Sequence, residues 1–167
     1  MRGVVRISEP SRRRIEMAAF ASLPRECCGL LVGYPVISPS VIDGGEQARE
    51  IWVVDDIVES ANVAPVEQPD RFEIDPALLL RMQRELRPTP MSVIGFYHSH
   101  PGGGVEPSSV DRDHAWQDGL IWLIAGCGGI EGGGGSRVCD LAAYLFDGAA
   151  GKFESLTLEV TSAAQKS

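Results

Sequence analysis

Apolar and polar residues alternate with two different periods along the chain, and the switches between them divide it into strands and helices. Val4-Val5-Arg6-Ile7 is short, apolar and β-prone, which predicts a strand. Ser8 caps a predicted helix running to about residue 22, with Pro10 in its first turn, where proline is tolerated. Ile15, Ala18, Ala19 and Ser22 make a small stripe on one face of it. Arg12-Arg13-Arg14 reads as the solvated face rather than a partner-binding patch. Cys27 to Gly33 and Glu50 to Val58 predict strands, and the Pro-, Gly- and Ser-rich residues 34–48 between them predict a turn. Residues 59–71, with Pro65 and Pro69, predict a surface loop.

The second half repeats this alternation. Asp75-Pro76 opens a helix to about Leu86, since aspartate caps and proline suits the first turn. Residues 91–98 predict a strand, 108–118 a helix, 119–125 a buried strand, and 138–146 and 153–160 two further strands. Gly148 and Gly151 lie in the last turn. Trp116 is expected in the core. No internal repeat is evident, and the pattern is that of an α/β domain over residues 1–160 with a disordered tail at 161–167.

Composition narrows the function classes. The 167 residues are 44% hydrophobic and 23% charged, ordinary for one globular domain with a sizeable core. A net charge of −8 argues against a nucleic-acid partner. No apolar run is long enough to span a membrane. Arg2 and Arg6 are followed by no signal-peptide core, which implies a cytoplasmic protein. Cys27, Cys28, Cys127 and Cys139 form no Cys-x-x-Cys pair and are expected as free, buried thiols without a disulfide. The run Gly128–Gly135 lacks the Gly-Lys-Ser/Thr ending of a phosphate loop and reads as a connection between strands.

The candidate chemistry sits in His98-Ser99-His100, followed eleven residues after His100 by Asp111. Residues i and i+2 of a strand face the same side, so both imidazoles can project together from a strand end. Asp111 can add a carboxylate oxygen from the next helix, which Ser108 could cap. Two nitrogens, one oxygen and a free fourth position suit a catalytic Zn2+. Tyr97 and Ser99 should face away from the metal, with Ser99 bracing the loop or Asp111. His114, one turn beyond Asp111, is read as a partly exposed side chain; a bond to Asp111 or a place as rival ligand are the alternatives.

His98-Ser99-His100, seven residues, Ser108, two residues, Asp111 resembles the signature of the JAMM (MPN-plus, Mov34) metalloproteases at every position. Glu26-Cys27-Cys28-Gly29-Leu30-Leu31-Val32-Gly33 resembles the Glu-x-Cys-Gly-Leu-Leu-x-Gly stretch of the small prokaryotic members. Asn62-Val63-Ala64 and Phe72-Glu73-Ile74-Asp75-Pro76 are also similar, and the likeness runs from about residue 4 to about 147. It implies a cytidine-deaminase-like fold, a mixed curved β-sheet flanked by helices. It further implies zinc on His98, His100 and Asp111, Glu26 as general acid–base, and Ser108 stabilising the oxyanion, a duty that competes with capping unless Ser109 is the cap.

The resemblance also supplies a substrate class, the C-terminal tail of a ubiquitin-fold protein. The expected reaction is amide hydrolysis on a sulfur carrier, such as removal of a C-terminal cysteine, with the tail pairing against a strand edge. The alternatives are a deubiquitinase-like isopeptidase, a non-catalytic MPN scaffold and, against the acidic balance, a DNA-repair-associated relative. An exposed edge strand would also permit homodimers.

Overall fold

The computed structural model describes residues 3–42, 45–115, 118–128 and 139–162. Trp116, residues 129–138 of the glycine-rich run and residues 163–167 lie outside them, as do the expectations that fall there. Strand β1 (Gly3–Ser8) leads into helix α1 (Glu9–Ser22), and two long strands follow, β2 (Cys28–Ile42) and β3 (Gly45–Ser60). Helix α2 (Pro76–Leu86) precedes β4 (Ser92–His100), the six-residue α3 (Ser109–His114), β5 (Ile121–Gly126), β6 (Asp140–Asp147) and β7 (Lys152–Thr161).

The strands run in the order β1-β3-β2-β4-β5-β6-β7, and β1 pairs with β7 as well as β3. The expected mixed sheet is present, with β1–β3, β1–β7 and β4–β5 parallel and the others antiparallel. The expected curved sheet goes further and closes into a barrel. Among the described residues, closure gives each strand two neighbours and leaves no long free edge outside the outer part of β2 and β3.

Residues 34–48 are not a turn. They extend the β2–β3 ladder from Tyr34↔Val53 out to Ile42↔Gly45, and beyond Glu50, where the pairing of β3 with β1 stops, the two strands form a two-stranded arm. β4 follows β2 only as far as Gly33, so beyond it β2 pairs with β3 alone. Pro35 and Pro39 mark residues that cannot donate to a further strand, which blunts that edge as a pairing surface. The prolines and serines read as turn formers, but Val36, Ile37, Val41 and Ile42 favour the extended ladder.

β5 is buried along its whole length. Ile121, Leu123 and Ala125 point into the main core with Val5, Ile7, Leu31, Val54 and Tyr97, and α1 adds Ile15 and Ala19 to it. Trp122 and Ile124 face the opposite side, where Tyr144, Phe146, Phe72, Phe96 and Phe153 gather. The metal-ligand candidates stand beside this second, aromatic cluster. Helix starts follow the capping expectations: Ser8 Oγ accepts from the Ser11 N–H, and Asp75 accepts from the Ala77 N–H.

Two further expectations are corrected. The helix predicted over 108–118 ends at His114. Cys127 and Cys139 form a disulfide, whereas Cys27 and Cys28 are free and buried as expected. The last β5–β6 pair is Gly126↔Asp140, so antiparallel pairing sets Cys127 opposite Cys139 with Cα atoms 4.4 Å apart. That separation lies within bonding range.

Candidate metal centre

His98 and His100 project from the same face of β4 at its C-terminal end, as strand alternation requires. Tyr97 and Ser99 alternate with them and turn inward. The Tyr97 ring lies over Gly29, where any Cβ would strike it, so this position of β2 needs glycine. Ser99 Oγ accepts from the Cys27 N–H at 2.9 Å, and the Ser99 N–H donates to the Cys27 carbonyl at 3.1 Å. Ser99 therefore braces the residue after Glu26, not Asp111 or the loop.

Asp111 reaches the histidines because α3 starts with a capping box. Ser108 Oγ accepts from the Asp111 N–H at 3.0 Å, and Asp111 Oδ2 accepts from the Ser108 N–H at 2.7 Å. Ser108, not Ser109, is thus the cap. Asp111 Oδ1 lies 3.1 Å from His98 Nε2, Oδ2 lies 3.2 Å from His100 Nε2, and the two Nε2 atoms are 3.1 Å apart. One ligand atom from each of the three residues lies within 4.8 Å of the others.

This donor set fits a metal ion. Two nitrogens about 2.05 Å from a tetrahedral zinc would be roughly 3.3 Å apart, close to the spacing seen. Two neutral imidazoles meeting Nε2 to Nε2 can share only one proton, an arrangement that a cation between them would resolve. Asp111 is 4% exposed, and although burial favours its protonation, hydrogen bonds from His100, His98 and the Ser108 N–H hold its carboxyl well below the usual range. Burial lowers His98; it opposes the charged form of His100 too, but Asp111 outweighs it there and the balance is upward. An ionised carboxylate beside a neutral imidazole is the state a divalent cation needs.

Glu26, which reads from sequence as exposed in the absence of the family likeness, is only 5% exposed. Its Oε2 is buried with no hydrogen-bond partner among the described residues. Burial pushes its carboxyl up from an ordinary 4.5 to about 8; His100 pulls against the rise, and Asp111 and Asp70 add to it. Those interactions put Glu26 in the same electrostatic field as two of the ligand candidates, His100 and Asp111. A buried carboxylate with a free oxygen and a near-neutral pKa is suited to pass protons.

The profile described as prokaryotic homologs of the JAB domain matches residues 8–139. The chain belongs to this family. The desampylase of Haloferax volcanii is 30% identical over 101 residues, covering 60% of this chain. The match spans 62% of the desampylase, less than two thirds of its length. A solution structure of a protein from Desulfitobacterium hafniense superposes with a TM-score of 0.71 at 20% identity, covering 96% of this chain and 95% of that one. One from Salinibacter ruber gives 0.57 at 20% identity, covering 96% and 92%. These two share the fold of this chain.

Other parts of the site carried no sequence signal of their role. Phe72 stacks on the His98 ring with centroids 4.3 Å apart and planes 16° apart, and Trp122 meets the same ring edge-on at 5.7 Å. Both also line a cavity of about 630 Å³ with Ile74, Leu79, Leu80 and Phe96. His114 sits on its rim, exposed, with Nδ1 2.7 Å from the Val110 carbonyl. It shows no bond to Asp111, so neither alternative role for it is supported. Among the described residues no helix is long and apolar enough to cross a membrane.

Proposed function

We propose that this JAB domain is a zinc-dependent peptidase or isopeptidase acting on the C-terminal tail of a ubiquitin-fold protein. The carrying observation is the buried Glu26 carboxyl, with an unpartnered Oε2, in the field of His100 and Asp111. A scaffold protein has no need to bury an unsatisfied carboxylate beside three converging donors, since the desolvation is unrewarded. The desampylase, an enzyme by its name, supports hydrolysis within the family.

His98 Nε2, His100 Nε2 and an Asp111 oxygen would hold the zinc. When bound, zinc lowers the pKa of a water from 15.7 to about 7 and polarises a carbonyl. Glu26 accepts the proton of the attacking water and returns it to the leaving amine, which its pKa near neutrality permits. Ser108 can serve both duties assigned to it. Capping uses an oxygen lone pair to accept from the Asp111 N–H, which leaves the hydroxyl hydrogen to donate to the oxyanion. The cytidine-deaminase-like description belongs to this same reading, with the sheet closed.

A sulfur carrier with a residue added to its C-terminal Gly-Gly is the favoured substrate; ubiquitin-like conjugates are the alternative. Intact-mass spectrometry tests this on a carrier ending in Gly-Gly-Cys, incubated with the zinc-loaded chain or with Glu26→Gln. The expected result is loss of cysteine with the native chain alone. An unchanged carrier together with cleavage of a ubiquitin-like conjugate would move the substrate to the alternative. No cleavage of either by a chain holding one zinc would overturn the hydrolase.

A further inference from the structure

His98 and His100 differ in how their rings are oriented. The two Nε2 atoms converge on Asp111, so Nδ1 of each ring faces away from the candidate metal position. His100 Nδ1 lies 3.3 Å from the Gly104 carbonyl, the bond that usually fixes the tautomer and angle of a ligating histidine. His98 Nδ1 is buried and no group among the described residues reaches it. Phe72 stacks on the face of the His98 ring, and Trp122 and His100 meet it in T-shaped contacts.

Phe72 lies in the segment between β3 and α2, far from β4 in sequence, yet its place is tightly set. The Asn62 amide uses its full hydrogen-bonding capacity there. Nδ2 donates to the Glu26 carbonyl at 3.1 Å and the Arg71 carbonyl at 3.0 Å, while Oδ1 accepts from the Ala64 and Glu73 N–H groups, each at 3.1 Å. Arg71 and Glu73 flank Phe72, so one side chain pins the backbone on both sides of that ring. The Val63 N–H to Glu73 carbonyl bond, at 3.0 Å, closes the same loop. Through Asn62 the strand start that carries Glu26 and the ring that packs on His98 share one anchor.

We propose that Phe72 is a positioning residue of the metal centre: its stacked ring orients His98 where no hydrogen bond to Nδ1 does so, and Asn62 holds it in register with Glu26. The inference rests on reading His98 as a zinc ligand. Chelator competition on the full chain measures zinc affinity in the native protein, Phe72→Leu, Phe72→Tyr and Asn62→Asp, and the visible spectrum of bound cobalt reports ligand geometry. Phe72→Leu should weaken zinc binding by roughly 10- to 100-fold, the range seen when ligand-orienting groups are removed. Its cobalt spectrum should change while metal-free unfolding stays cooperative. Phe72→Tyr, which keeps the ring face, should restore near-native affinity and spectrum. Asn62→Asp keeps both acceptor contacts, loses both donors and should weaken binding as well.

If Phe72→Leu does not fold, Phe72→Met gives the same readout. Native affinity and spectrum in the aliphatic variant, or equal loss in Phe72→Tyr, would overturn the inference. A native chain that binds zinc but cleaves nothing would remove the hydrolase and leave this reading intact, whereas a native chain that binds no zinc would remove both.

Discussion

The two walls of the candidate metal centre are built by opposite means. One wall, residues 98–111, is local and polar: a strand end, a short loop and a capped turn in which His100, Gly104, Ser108 and Asp111 are linked by hydrogen bonds. The other wall is long-range and mostly apolar. Phe72 and Trp122 pack on His98, and Glu26 sits buried where β2 begins. The local wall sets which atoms could bind a metal. The distant wall excludes water, perturbs Glu26 and fixes the less polar of the two histidines. A site divided in this way can lose its chemistry through either wall while the other keeps its shape.

Glu26→Gln is the sharpest way to separate them and carries the largest expected effect. It should lower hydrolysis by roughly 10²- to 10⁴-fold, the usual worth of a general acid–base, while one zinc per chain remains by elemental analysis. Loss of the zinc would mean that the walls are not separable in this way. Ser108→Ala attacks the local wall. It should cost roughly 10²- to 10³-fold in kcat if the hydroxyl serves the oxyanion, and about 1 kcal/mol of stability from the lost cap. A stability change without the kcat change would leave Ser108 as a cap only.

The disulfide supports the β5 side, because the Cys127 N–H donates to the His100 carbonyl at 3.1 Å. Cys127→Ser with Cys139→Ser should lower unfolding free energy by about 2–3 kcal/mol in denaturant titration, given the short loop closed. An unchanged midpoint would show that the barrel alone holds this corner.

A pH dependence in the metal-free chain probes the distant wall by itself. Glu26 has a folded pKa raised to about 8 from 4.5. Its stabilising contribution is complete below pH 4.5 and is lost as pH rises through 8. Glu26→Gln should therefore gain thermal stability relative to the native chain between pH 5 and 9. A constant difference across that range would show that Glu26 is not buried as described.

The local wall was legible in the sequence because its geometry follows from spacing. Residues two apart on a strand and a serine three before an aspartate need no tertiary information. α1 and α2 were legible for the same reason, through Ser8 and Asp75. The distant wall was not, since its contacts join residues 26, 62, 72, 98 and 122, and nothing local says that Phe72 meets His98. Asn62 and Phe72 were visible as part of a family likeness but without a role. The arm at 34–48 was missed because cross-strand pairing overrode proline and serine. The Cys127–Cys139 bond was missed because it depends on the β5–β6 register.

The most direct test is a crystal structure of the zinc-loaded chain with anomalous data at the zinc edge. One ion is expected, bound by Nε2 of His98, Nε2 of His100 and the Asp111 carboxylate, with Glu26 within hydrogen-bonding distance of the ligand at the fourth position. An ion bound elsewhere, or a Glu26 carboxylate turned away from it, would contradict the account.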